Sequence, residues 1–232
     1  MDLKNANILV TGASSGIGKH IAIELSKKGA NLILTGRNEE RLSAVAKELN
    51  ADGIVADVSK EEDVLKTYDL VQSKWGNLDV LINNAGFGEW ETVDELSLES
   101  FQRVFGTNVF GAALMAREAS KIFKKQKSGN IVNIASTAAS KGFARGTVYA
   151  GSKFALAGMT QSWRAELRPF NVRVFQINPS EVTTAFGSDG PERDDKPNKL
   201  SGKEIAHSIV SALEMDDRGF ITDLTVWATN PF

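Results

Sequence analysis

The chain contains no cysteine among its 232 residues and only two histidines, His20 and His207. Without cysteine there is no disulfide, no thiol nucleophile and no thiolate-bound zinc. Two histidines so far apart in sequence argue against a histidine-built metal site, so no metal ligand is assigned. An excess of one charge is also lacking: 27 Lys and Arg against 29 Asp and Glu leave a net charge of -2. That balance gives no special attraction to nucleic acid or to an anionic membrane. No run approaches the ~18 apolar residues of a membrane span. The opening Met1-Asp2-Leu3-Lys4-Asn5 does not read as a secretory signal, and the expected location is the cytoplasm. Internal repeats, low-complexity tracts and a second-domain linker are missing too, so residues 1–232 are expected to form one domain.

What is present is an ordinary globular balance, 42% hydrophobic and 24% charged, arranged as alternating strand and helix patterns. Asn7-Ile8-Leu9-Val10-Thr11 reads as a buried strand. Gly12-Ala13-Ser14-Ser15-Gly16-Ile17-Gly18 follows it, then a helical pattern through Ile21, Ala22 and Leu25 that ends near Gly29. A glycine turn between a strand and a helix lets backbone amides close on a phosphate, and Ser14 and Ser15 add hydroxyl donors. A second strand is predicted over 31–35, a helix over 39–49, a strand over 53–57, a helix over 60–75 and a strand over 79–83. This alternation predicts an α/β fold with a doubly wound parallel sheet, whose ligands bind beyond the carboxyl ends of the strands. Asp57, with Val58 after it, and Asn83-Asn84-Ala85-Gly86 stand at such ends and are expected to line a cofactor cleft. The second strand runs into Gly36-Arg37-Asn38 where an NAD-binding chain would carry a carboxylate for the ribose. Arg37, a planar cation suited to a phosphate, predicts NADP(H).

The densest chemistry lies in Tyr149-Ala150-Gly151-Ser152-Lys153. On a helix over 149–170, Tyr149 and Lys153 are i and i+4 neighbours on one face. A nearby ammonium is expected to favour the phenolate and bring a phenol of ordinary pKa ~10 toward the working range of a general acid or base. Ser136, thirteen positions upstream, leaves the end of a strand predicted over 130–135. Its hydroxyl can donate to the oxygen on which charge grows when a carbonyl is reduced.

With these motifs assembled, residues 6–184 resemble a short-chain dehydrogenase/reductase of the short, single-domain kind. The resemblance rests on Gly12, Gly16 and Gly18, on Asn83 to Gly86, and on Asn108, Ser136, Tyr149 and Lys153 in order, with the thirteen-residue gap from Ser to Tyr. It implies a Rossmann-type sheet of about seven strands with helices on both faces. It further implies that Asn108, inside a helical stretch predicted over 98–125, distorts that helix and supports a proton relay. Lys153, with Tyr149 beside it, would contact the nicotinamide ribose. Pro179, Val182 and Thr184, after a strand predicted over 172–177, match the segment that holds the nicotinamide, although Ser180 stands where the family carries glycine. By the same resemblance the chain is a homo-oligomer, dimer or tetramer, pairing the helices near 98–125 and 149–170.

Together these readings predict an NADP(H)-dependent oxidoreductase that interconverts a small-molecule carbonyl and alcohol. Likeness to 3-oxoacyl-thioester reductases is family-wide, and pterin, sugar or steroid carbonyls stay open. Phe87, Trp90, Phe143, Phe186 and Trp227 are candidate walls for an apolar or aromatic substrate portion, or members of the core. The polar segment 187–202 is expected to be a mobile lid or loop, ahead of a helix over 203–215 and a strand over 220–227. Two rivals are a silent NADP-binding sensor or scaffold, which would be expected to lack the Tyr, Lys or Ser, and a sugar-nucleotide epimerase, which would need a longer C-terminal substrate region.

Overall fold

The computed structural model describes residues 1–184, 186, 196 and 198–230. Strands β1 (Asn7–Val10), β2 (Asn31–Gly36), β3 (Asp52–Val55), β4 (Val80–Asn83), β5 (Gly129–Ile134), β6 (Val172–Pro179) and β7 (Asp223–Val226) form one sheet. Their order is β3-β2-β1-β4-β5-β6-β7, with every neighbouring pair parallel. Helices α1 (Gly16–Lys27), α2 (Glu39–Glu48), α3 (Glu61–Lys74), α4 (Leu98–Phe105), α5 (Ala112–Gln126), α6 (Thr147–Leu167) and α7 (Gly202–Leu213) connect and cover them.

The central strands β1, β2 and β4 are largely apolar because both faces are covered, and successive side chains go to opposite sides. Ile8, Val10, Leu32, Leu34, Val80 and Ile82 face the layer containing Leu25 of α1, Leu42 of α2 and Ile205 of α7. Leu9, Ile33, Leu81, Ile131 and Val174 face the other way, against Val64 of α3 and Met115 and Phe123 of α5. The chain first winds outward from β1 to β3 and then returns to place β4 on the other side of β1. That reversal opens a crevice beyond the carboxyl ends of β1 and β4. Helix starts follow local chemistry: Asn38 caps α2 by accepting from the Arg41 amide (2.8 Å), and Ser201 and Glu204 form a reciprocal cap on α7.

The structure gives the bounds of three expected elements more closely, and leaves most of a fourth outside the described residues. The helical stretch expected over 98–125, with a distortion at Asn108, is divided into α4, a π-helical turn at Gly106–Gly111 that contains Asn108, and α5. Two glycines, Thr107, Asn108 and Val109 are weak helix formers, and tertiary bonds from Asn108 fix the altered turn. The third strand is Asp52–Val55, so Asp57 stands two residues beyond it rather than within it. The last strand is Asp223–Val226, while Phe220 and Ile221 pack against the core before it. Of the lid expected at 187–202, residues 187–195 and 197 lie outside the described residues. Its end is anchored: the Thr183 amide donates to the Leu200 carbonyl at 2.7 Å, and Gly202 begins α7. Among the described residues no helix is long and apolar enough to cross a membrane.

Candidate active site

The floor of the crevice is the glycine turn locked to the residues after β4. The Asn84 side-chain amide donates to the Thr11 and Gly12 carbonyls (2.9 and 3.1 Å), and the Thr11 hydroxyl accepts from the backbone amides of Asn84 and Ala85 (both 3.0 Å). Gly12 has φ +64°, and a Cβ there would stand 2.8 Å from the Ala85 Cα. A Cβ on Gly18 would run into the Gly12 carbonyl oxygen and the Asn84 amide. Glycine is therefore required for close approach, and at Gly12 for the left-handed turn as well. Gly16, at φ +55°, faces the Thr184 side chain, 3.5 Å from where a Cβ would be. This brings the glycine loop and the segment after β6 together across the crevice.

Helix α1 opens on Ser15, whose side chain makes no capping bond, and its first turn carries no acidic residue. The helix thus supplies no carboxylate of its own to its positive end, and the cradle fits the phosphates of a dinucleotide. Ser14, Ser15 and Ile17 line this turn half-buried, and the Ser14 hydroxyl packs on Gly36. Arg37 follows the end of β2, exposed, with its guanidinium 5.7 Å from the centre of the Phe87 ring. Among the described residues no carboxylate lies within ion-pair distance of it. Asp57 accepts from the amide and hydroxyl of Ser59 (3.0 and 2.7 Å), and Val58 is buried against Gly111 of the π-helical turn. Pro179 ends β6, and Val182 bridges to Leu200.

Beside this floor, Asn108 ties three elements together. Its Oδ1 accepts from the Phe87 amide (3.0 Å), and its Nδ2 donates to the Phe87 carbonyl (2.9 Å) and to Ser152 Oγ (3.0 Å). The side chain is 1% exposed, so it is no surface asparagine. Ser152 in turn donates to the Tyr149 carbonyl at 2.7 Å. Lys153 Nζ donates to the Ile134 carbonyl at 2.8 Å and lies 5.8 Å from the centre of the Tyr149 ring. A Cβ on Gly86 would stand 3.0 Å from Asn108 Oδ1 and 3.6 Å from Lys153 Nζ, which joins this group to the cofactor floor. Ser136 leaves β5, accepts from the Ala138 amide at 3.1 Å, and sits close enough to the Tyr149 phenol to influence its ionisation.

The electrostatics differ from the sequence expectation in one respect. Burial pushes the Tyr149 phenol above its ordinary range, and the nearby Ser136 hydroxyl acts the other way without overcoming it. Burial also pushes Lys153 down, to about 8. The expected lowering of the phenol by the ammonium does not win because the ring is enclosed while the amine is held to the Ile134 carbonyl.

The enclosure is aromatic. Tyr149 packs edge to face with Trp90 at 5.1 Å and with Phe186 at 5.5 Å, and Trp90 lies 5.6 Å from Phe143. Phe87 instead lies under Arg37, and Trp227, 66% exposed at the end of β7, joins no ring pair among the described residues. Reading the sequence had given no role to Thr11, Ser152 or the Ile134 carbonyl. Ser152 carried one signal, its position three residues after Tyr149 on the same helical face.

Residues 6–194 match the family described as short chain dehydrogenase. An uncharacterized oxidoreductase of Staphylococcus saprophyticus is 33% identical over 232 residues, covering 97% of this chain and 98% of its own. One from Staphylococcus epidermidis is 32% identical over 228 residues, with 97% of each chain covered. An alcohol dehydrogenase from the archaeon Thermococcus sibiricus, solved with 5-hydroxy-NADP, superposes with a TM-score of 0.89 at 28% identity over 97% of each chain. A closed form of serine dehydrogenase with NADP+ superposes with a TM-score of 0.87 at 28% identity, covering 94% of this chain and 93% of its own.

Proposed function

Because the chain belongs to the short chain dehydrogenase family of oxidoreductases, we propose that it interconverts a ketone or aldehyde and the corresponding alcohol with NADP(H), using Tyr149 as general acid and base. The observation that carries this reading is the meeting of Ser136, Tyr149, Lys153 and Asn108 at the edge of the glycine crevice. The nicotinamide nucleotide, when bound, supplies the hydride that reaches the carbonyl carbon.

In the direction of reduction the carbonyl oxygen gains negative charge, and Ser136 Oγ–H is the donor that holds it in place. Tyr149 gives its phenolic proton to that oxygen. A phenol kept protonated by burial is suited to this acid role. The Lys153 ammonium then stabilises the phenolate left behind, and Asn108 holds the π-helical turn, the Phe87 backbone and α6 in mutual register. The glycine turn, Ser14, Ser15, Ile17, Asn84, Ala85 and Gly86 would hold the dinucleotide, Asp57 and Val58 its adenine end, and Pro179, Val182 and Thr184 its nicotinamide end. Arg37, exposed at the end of β2 without a carboxylate partner among the described residues, favours the extra phosphate of NADP over NAD, and the NADP-bound structural relatives support the same choice. The reading includes a homo-oligomer built on the helices around 98–126 and 147–167.

A panel of ketones, aldehydes and diketones, followed by NADPH oxidation, tests the proposal. Turnover is expected with NADPH and to be lost by at least about a thousandfold in Tyr149→Phe, with NADPH binding retained. Full activity in that variant would refute the scheme, and a higher kcat/KM with NADH than with NADPH would refute the cofactor assignment.

A further inference from the structure

The rings around Tyr149 are too open to be core. Trp90 is 42% exposed, Phe143 50% and Phe186 41%, yet Trp90 and Phe186 both touch the Tyr149 ring, and Phe143 backs Trp90. Large apolar side chains left open beside a catalytic group mark a surface that a ligand covers. Resting on the carbonyl-reductase reading above, we propose that these rings form the specificity wall, and that the preferred substrate is a carbonyl compound whose carbonyl is attached to an aromatic or extended conjugated ring.

The wall is held in place before any substrate arrives. The Arg145 guanidinium donates to the Trp90 carbonyl at 3.1 Å, and the Glu91 amide donates to the Arg145 carbonyl at 3.1 Å, so the loop carrying the indole is fastened to the residues before α6. Gly88 leaves no gap behind the indole, since a Cβ there would stand 3.0 Å from its outer edge. The indole is therefore held in place, and the rings of the wall stand tilted or edge-on to one another, at 49°, 71° and 70°. A flat π-system gains edge-to-face and offset contacts with such rings that a saturated group of the same size does not.

The charged residues next to Trp90 are used within the protein. Glu89 accepts two bonds from Arg103, both 2.9 Å, and Glu91 accepts from the Ser97 amide (3.4 Å) and the Ser100 hydroxyl. Recognition at this wall is accordingly by ring shape and polarisation rather than by pairing a substrate charge with these groups.

Acetophenone and cyclohexyl methyl ketone separate the cases, because they share a carbonyl, a methyl group and a six-membered ring. Conjugation makes acetophenone the less reactive toward hydride, so a preference for it must come from binding. In the wild type kcat/KM is expected to favour acetophenone by about tenfold. The ratio should fall toward one in Trp90→Leu and in Phe143→Leu. The second variant, at a more exposed ring, serves if the first fails to fold. Equilibrium binding of both ketones by calorimetry is measured alongside. Reduction of both ketones without preference, or a preference unchanged in the variants, overturns the aryl inference and leaves the carbonyl-reductase reading standing. Acetophenone binding that depends on Trp90 and Phe143, with no carbonyl turned over, upholds the aryl site and defeats that reading. Neither turnover nor binding defeats both.

Discussion

Lys153 is a cation in a place where burial disfavours charge. Its side chain is buried, its pKa falls from 10.5 to about 8, and its only hydrogen bond among the described residues is to the Ile134 carbonyl. Below about pH 8 both folded and unfolded chains carry the proton, and the fold bears the full cost of the buried charge. Between about 8 and 10.5 the folded chain has released the proton and the unfolded chain has not. Unfolding then takes up a proton, so stability rises with pH across that window, by about 3 kcal/mol at most. The raised phenol of Tyr149 works in the opposite sense above its ordinary value of 10.0, which confines the clean window to lower pH. Lys153→Met should therefore be more stable than the wild type at pH 7 by urea denaturation without nucleotide, lose more than half of that advantage by pH 9.5, and be inactive at both. A variant less stable at pH 7 would contradict this account. Motif and spacing made Tyr149, Lys153, Ser136 and Asn108 legible in the sequence. The direction of the Tyr149 shift was not legible, because it depends on Trp90 and Phe186 arriving from distant segments to enclose the ring.

At the level of elements, α6 is tied down by a buried polar row that looks in the sequence like isolated asparagines in apolar strands. Asn83 and Asn133 are register partners on β4 and β5. Asn83 Nδ2 donates to Asn133 Oδ1 (3.0 Å) and to the Ala112 carbonyl at the start of α5 (3.2 Å), and Asn133 Nδ2 donates to Thr160 Oγ1 on α6 (2.8 Å). Two strands and two helices thus share one chain of hydrogen bonds under the active site. Asn133→Leu should cost about 1–3 kcal/mol in urea denaturation by leaving buried polar partners unsatisfied. It should also lower kcat more than it raises KM, because α6 carries Tyr149 and Lys153. An unchanged kcat would show that packing alone places the helix. Apolar runs and glycines made the strands and most helices readable. The interruption of the stretch over 98–125 was expected only through family resemblance, since weak helix formers permit a π-helical turn but do not require one.

For the whole molecule, alternation of strands and helices was enough to call for a parallel sheet, while the reversal of direction at β1 has no local signature in the chain. Assembly is likewise a long-range matter. Leu98, Phe110 and Phe154 are 74%, 59% and 47% exposed on α4, the π-helical turn and α6. Uncovered, they would leave apolar surface on the helices read here as the contact between copies. Sedimentation at micromolar concentration is expected to give a dimer or larger species, and Phe110→Glu with Phe154→Glu to give a folded monomer by circular dichroism. A monomeric wild type would remove this assembly.

The fastening of Trp90 to the start of α6 has a consequence for anyone redesigning the enzyme. The isolated bridge between Glu91 and Gly146 and the bond from Arg145 mean that the loop carrying Trp90 and the turn presenting Tyr149 are one piece of hardware. Libraries that randomise residues 88–91 will trade catalytic power for new selectivity in the same step. Phe186 offers a gentler first round of laboratory evolution, since it touches the Tyr149 ring from another segment, whereas Phe143 packs against Gly146 of the clasp itself.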